Sequence, residues 1–160
     1  MDPTELRAAH GRLADAASLP DLGAPVDGGW DADQVLAHVL SVDAGVAAAA
    51  LAVVAGSRPG YDNRISQDRA DLARIVAAHP GRTALVDAVH GQAEVLCAVA
   101  EQLDERSAAV LVPVLLVSDG AVVVDRPLPL SALIEGLATD HVPGHTRQLL
   151  GLRRPAADLR

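Results

Sequence analysis

Six histidines stand in the chain: His10, His38, His79, His90, His141 and His145. Two of them, His141 and His145, are four residues apart in the string DHVPGH. On a regular helix that spacing places both imidazoles on one face, a turn apart, where they can share a metal ion. Leu130, Ile134, Leu137, Leu149 and Leu152 lie near the same stripe, so the pair is expected to face a core. Imidazoles in a core need something to take their lone pairs. The competing reading is two surface or interface histidines with local hydrogen bonds. Pro143 and Gly144 favour it, because Pro143 has no N–H to give and kinks a continuous helix. A third ligand has to come from another element. His38 is the first choice, sharing its side of a helix with Gln34, Ser41, Val42 and Gly45; His90 is the second. Three neutral imidazoles suit zinc first, or nickel or Fe(II), and bind magnesium or calcium poorly. They leave one position for water, a thiolate or a substrate oxygen.

The other reactive side chains read mainly as structure. Asp43 is an expected hydrogen-bond acceptor behind a ligand imidazole, with a backbone cap as the alternative. The carbonyl of Thr139 is the second expected acceptor, since Pro143 cannot pair with it. Asp140 points roughly 100° away from His141 on a helical wheel. Cys97 is the single cysteine, which excludes an internal disulfide and a CxxC metal knuckle, and among Leu96, Val99 and Ala100 it reads as a small core residue. His10 and His79 fall near element ends and are expected to be solvated. Trp30 reads as a core anchor at the start of a helix, with a wall of the site as the lesser reading. There is no Ser-His-Asp order, Gly-rich phosphate loop or HExxH.

The elements that must carry these residues follow from apolar spacing. Asp2-Pro3 reads as a cap and first position of a helix over residues 3–17, with Leu6, Ala9, Leu13 and Ala17 inward. SLPDLGAPVDGG is a connection. Asp31 and Gln34 form a capping box for a second helix that runs to Gly56, its inner line through Val35, Val39, Val42, Val46 and Val53. SRPGYDN is a loop. A third helix is expected over residues 64–78, stopped by His79-Pro80, and a fourth over residues 83–105. VLVPVLLV and AVVVDRPL, joined by SDG, read as a hairpin or extended excursion, with Pro113 marking an edge strand. Ser131 is the expected cap of the last helix, and the tail RRPAADLR is expected to fray. The expectation is an all-α, antiparallel four-helix bundle with a short extended insertion at about residues 110–127, one domain across residues 1–160.

Composition narrows the function classes. All 13 basic residues are arginine, which removes Schiff-base chemistry and lysine-dependent phosphate loops. Against 21 acidic residues the net charge is -8, so nucleic acid is not an expected partner. Half the residues are hydrophobic but only 1% are aromatic, so the core has to be built from Leu, Val, Ile and close-packed Ala. No basic, apolar leader opens the chain, and the longest apolar stretch contains an Asp, so a cytoplasmic protein without a membrane span is expected.

The string WDADQVLAHVLSVD, with Trp30, Leu36, Ala37, His38 and Asp43, resembles the second-helix signature of the DinB/YfiT superfamily. More narrowly it is similar to the N-terminal domain of mycothiol-dependent maleylpyruvate isomerase-like proteins. LSALIEGLATDHVPGHTRQLLGL is similar to that family's last helix, and YDNR to its loop over the site opening. The resemblance extends to about Leu152. It implies a metal held by His38, His141 and His145, and a loop with Tyr61 and Asn63 over the site opening; an acidic cosubstrate then needs a cationic contact, for which Arg147 is the nearest candidate in sequence and Arg64, beside the loop, the alternative. It further implies thiolate activation for transfer or isomerisation, with mycothiol or bacillithiol as the thiol. The larger isomerases continue into a second domain, so their activity is not carried over. Two function classes therefore stand: a metal-dependent enzyme acting on small molecules, and a non-catalytic bundle, binding or stress-related, with a structural or vestigial histidine cluster. A homodimer is expected to cover the VLVPVLLV arm.

Overall fold

A computed structural model describes residues 1–25, 28–118 and 120–154. Residues 26–27, 119 and 155–160 lie outside the described residues, and with them the middle of the expected SDG connection and most of the tail expected to fray. Four helical columns carry the fold: α1 (Thr4–Ala17), α2 (Ala32–Val54), α4 (Arg82–Gln102) and a composite last column. That last column joins α6 (Leu130–Gly136), a π turn (Leu137–His141) and α7 (Val142–Gly151). α2 packs on α4, α4 on α1, α1 on α7, and α7 returns to α2, closing a bundle. α3 (Arg69–Ala78) packs on the outside of α2, and the single turn α5 (Glu105–Ala108) follows α4.

The capping signals are read out locally. Asp31 accepts from Gln34 N at 2.9 Å while Gln34 Oε1 accepts from Asp31 N at 3.1 Å, the expected box. At the other end of α2, Gly56 sits at φ +81°, and the Gly56 and Ser57 N–H groups donate back to Val53 and Ala52. That Schellman arrangement needs a left-handed residue, which glycine supplies without strain. Asp2 caps one residue later than expected: its Oδ1 accepts from Thr4 N, and Pro3 holds the cap position.

Several boundaries need correction. The third helix begins at Arg69 rather than residue 64, since residues 65–67 form a separate 3₁₀ turn and Asp68 caps the helix proper. The fourth ends at Gln102, where Leu103 turns extended before Asp104 caps α5. Ser131 does not cap the last helix, which starts at Leu130 with no side-chain cap. Tyr61–Asp62 is not loop but strand β1, paired in parallel with β2 (Leu111–Ser118), which pairs antiparallel with β3 (Ala121–Pro129). Pro113 therefore lies in the middle strand; it faces Pro127 across the ladder, where neither partner asks for the missing N–H. Of the tail, Arg153 and Arg154 are fastened: Leu22 bridges Arg153, Arg154 N donates to Asp21 O, and Arg153 Nε reaches Asp21 Oδ2 at 2.9 Å.

Buried Leu, Val and Ala fill the interior in two clusters. One gathers Leu6, Val46, Leu96, Val112, Leu130 and Ile134 beside the hairpin, the other Leu13, Leu36, Val39, Leu85, Val142 and Leu149. Four buried polar residues, His10, His38, Asp43 and Ser66, stand among them. In sequence, His10 falls between Leu6 and Leu13, and His141 between Ala138 and Val142, one neighbour from each cluster. The polar groups thus sit at the junction of the two cores.

Candidate metal centre

The π turn solves the problem that Pro143 sets. In an α-helix the proline ring clashes with the carbonyl four residues back. Here Val142 N donates five residues back to Leu137 O, the turn widens, and Pro143 enters α7 at its first positions. His141 and His145 then project toward one point despite the VPG between them. His38 reaches the same point from α2 and is 4% exposed. One ring nitrogen from each of the three histidines lies within 4.8 Å of those of the other two, and His38 Nε2 and His141 Nε2 are 3.1 Å apart. Three nitrogens tetrahedrally placed at 2.0–2.1 Å from one zinc ion would be about 3.4 Å apart. The cluster fits such an ion with small adjustments.

Hydrogen bonds decide which nitrogen each ring offers. The Ser66 carbonyl only accepts, so His38 Nδ1 carries a proton and donates to it at 2.6 Å. His145 Nδ1 donates to Gln148 Oε1 at 2.8 Å. Both rings therefore present an unprotonated Nε2 to the centre. His141 Nδ1 is buried without a protein partner, which leaves its Nε2 facing the others. Charge is tuned the same way. Burial, with His145 close by, pushes His38 down to about 4. Burial and the neighbouring imidazoles hold His141 well below the ordinary histidine value. Burial also lowers His145, against a hydrogen bond to Gln148 and the negative charge of Asp43. All three are neutral at pH 7, the state that ligates.

The expected acceptors do not do the work assigned to them. Asp43 binds none of the three rings; it is fully buried and pairs with His10, Oδ2 to Nε2 at 2.7 Å. The Thr139 carbonyl does not hold His141 Nδ1 either, which has no protein partner at all. His10, expected in solvent, is 4% exposed, because residue 10 belongs to the same inward stripe as Leu6 and Leu13. His90 is exposed on α4, away from the cluster, and half-buried His79 donates from Nδ1 to the Ile75 carbonyl at 2.8 Å. Cys97 is buried in the hairpin-side core, as its neighbours imply.

The histidines stand in the wall of a cavity of about 1290 Å³. Leu116, Val123, Leu128, Leu133 and Leu137 give it an apolar side from the hairpin and last column, while Gln67, Arg69, Asp140 and Gln148 add polar groups. Trp30 packs on the core and also forms cavity wall, its ring centroid 4.7 Å from that of His38. Tyr61 lines the cavity too, its ring lying so close over α2 that a Cβ on Gly45 would come within 3.0 Å of it. Its hydroxyl is buried without a protein partner. Asn63 faces the cavity but its amide is spent: Nδ2 donates to Val117 O at 3.0 Å and Oδ1 accepts from Val117 N at 2.8 Å. Arg64 is exposed and bound to Asp62, and Arg147 is exposed on α7; neither lines the cavity, whereas Arg69 does. Sequence reasoning passed over Gln148, Ser66 and Arg69. Gln148, three residues after His145 on a helix, carried a readable signal; the Ser66 carbonyl carried none. No family model matches the chain, and neither a curated protein nor a solved structure matches it.

Proposed function

We propose that the chain is a metal-dependent enzyme acting on small molecules, with His38, His141 and His145 holding one divalent transition ion, zinc first. The observation that carries this reading is the convergence of three neutral imidazoles, two of them with the tautomer fixed by a hydrogen bond, in the wall of a large cavity. Three imidazoles leave a position open to a ligand, and a cavity gives that ligand a way in. When bound, the ion would lower the proton affinity of a coordinated water or thiol and polarise a substrate carbonyl. The chain's own groups do the rest. Tyr61 brings a hydroxyl without a protein partner to the lining, Trp30 packs its ring beside those of His38 and His145, and Arg69 supplies a cation for an acidic substituent.

The reaction class rests on the resemblance of WDADQVLAHVLSVD and the last helix to the mycothiol-dependent isomerase group. It favours a thiol-dependent transferase or isomerase, with mycothiol or bacillithiol as cosubstrate and the apolar cavity side receiving the second substrate. The non-catalytic alternative calls for filled space around the histidines, and the cavity counts against it.

Elemental analysis of purified protein tests the core of this reading, with one equivalent of metal expected. His38→Ala, His141→Ala and His145→Ala should each lose it while keeping their far-ultraviolet circular dichroism, and His90→Ala should keep both. Trp30 is the only tryptophan, so its fluorescence should be quenched on adding Co(II) to metal-free protein. Wild-type protein that neither retains nor takes up metal, with Trp30 emission unmoved, would overturn the proposal. A screen of thiols with electrophilic substrates then addresses the reaction.

A further inference from the structure

Tyr61 stands in the short strand β1, and its hydroxyl is the odd group in an apolar wall. The residue is 8% exposed and packs in the hairpin-side core with Val42, Leu133 and Leu137, while Leu116 and Leu128 close on the same cluster. All six line the cavity. The Tyr61 ring lies on Gly45, which is two turns of α2, or roughly 10 Å, beyond His38 on the same face. Its Oη is buried with no protein partner. Burial pushes ionisation of that hydroxyl above the ordinary tyrosine range, so it stays a neutral donor. A buried donor without an acceptor costs free energy, and a tyrosine hydroxyl in a core normally finds one.

The side-chain amides on this side are already used: Asn63 and Gln67 both bind the Val117 backbone. Among the described residues, the charged side chains of the wall are Arg69 and Asp140. Arg69 Nη2 donates to the Gly28 carbonyl, two residues before Trp30, and Asp140 directly precedes His141, so both go with the imidazole end. A charged group at the Tyr61 end would lose its hydration with no ion to pair with. We infer that this end of the cavity takes an uncharged, largely apolar small molecule whose carbonyl oxygen accepts from the Tyr61 hydroxyl. The inference rests on the reading of the cavity as a substrate site, and it names the class of substrate that the apolar side receives. Leucine and valine side chains from the hairpin and the last column hold the apolar body, and the single donor fixes its orientation. Asp43 sits on the same helix with Oδ1 also unpartnered, so the competing account is an internal water shared by the two side chains.

Acetophenone and ethylbenzene share a shape and differ in a carbonyl against a methylene. Each is titrated against bound N-phenylnaphthylamine, an uncharged fluorescent reporter, on the protein as purified, with metal content determined on the same sample. Tyr61→Phe keeps the ring and removes the hydroxyl. In that variant the ratio of ketone to hydrocarbon affinity should fall about threefold to tenfold, the loss of one neutral hydrogen bond. The hydrocarbon should bind as in wild type, and the melting temperature should be equal or higher. The infrared carbonyl band of bound acetophenone should lie below its position in cyclohexane in wild type and return to it in Tyr61→Phe. An unchanged ratio overturns the inference, and a lower melting temperature beside it assigns the hydroxyl to an internal water. If Tyr61→Phe does not fold, the wild-type band decides alone, and a band at its cyclohexane position overturns the inference. Metal present with neither compound bound overturns it and leaves the histidine site standing. Both compounds bound as expected, with no metal, overturns the metal site and leaves this inference standing.

Discussion

Gln148 and Asn63 are both amides in the cavity wall, and they do opposite jobs. Gln148 fixes which nitrogen His145 turns to the centre, so Gln148→Ala should weaken zinc binding by about 10–100-fold while the melting temperature barely moves. Asn63 instead satisfies the Val117 backbone beside the irregularity between Leu116 and Val117, where β1 has run out. Removing it takes the side-chain partner from the half-buried Val117 N–H, while Val117 O keeps Gln67 Nε2 as a donor. Asn63→Ala should cost about 1–3 kcal/mol in chemical denaturation and leave zinc affinity unchanged. At this scale the three clustered histidines were legible, because a helical i,i+4 pair and a histidine on an apolar helix face are local patterns. The supports were not. Ser66 holds His38 through a backbone carbonyl, which no residue type announces. His10 was misplaced although it stands on the Leu6–Leu13 stripe, because its partner Asp43 is 33 residues away and only packing brings them together.

At the scale of elements, the last column carries the argument. Proline within a run of apolar helical spacing reads as a break, and a break would have scattered His141 and His145. The chain inserts a π turn instead, a device common at functional sites, and the column continues. Pro143→Ala restores an N–H and removes the ring clash, so the wide turn should relax toward α-helical pairing. The expected result is equal or greater thermal stability, by up to about 1 kcal/mol, and zinc affinity lowered about tenfold as His141 rotates away. Equal affinity in that variant would mean that the π turn does not depend on the proline. The hairpin shows the same division between local and non-local information. Its two arms and their turn were legible from β-branched runs, whereas β1 is two residues long and exists only because β2 lies beside it. The bundle's long helices were legible because their apolar lines, such as Val35 to Val53, are continuous over several turns.

For the molecule as a whole, the centre links metal, protons and stability. His38 holds its proton only below about 4 when folded, against an ordinary value of 6.5. Between those values the unfolded chain binds a proton that the folded chain refuses, so stability falls as pH falls through that window. His38 alone accounts for on the order of 3 kcal/mol, and His141 and His145, shifted in the same direction by burial, add to it. The His10–Asp43 pair acts above that window: despite burial, Asp43 makes the folded chain hold the His10 proton more tightly than the unfolded chain does, so this share of stability is lost as pH rises past 6.5. Metal binding steepens the dependence, because each proton taken up at a ligand competes with the ion. At pH 7, zinc at a hundredfold excess over its dissociation constant should add about 2.7 kcal/mol. For a chain of this length that raises the melting temperature by roughly 5–11 °C. Since the folded values are low, the increment should survive through pH 6 and disappear only as pH approaches about 4. Calorimetric scans from pH 4 to 8, with and without zinc, check both slopes. A melting temperature that climbs on acidification from pH 6.5 to 4, or a zinc increment already lost at pH 6, would mean that the three imidazoles are not held neutral by the bundle.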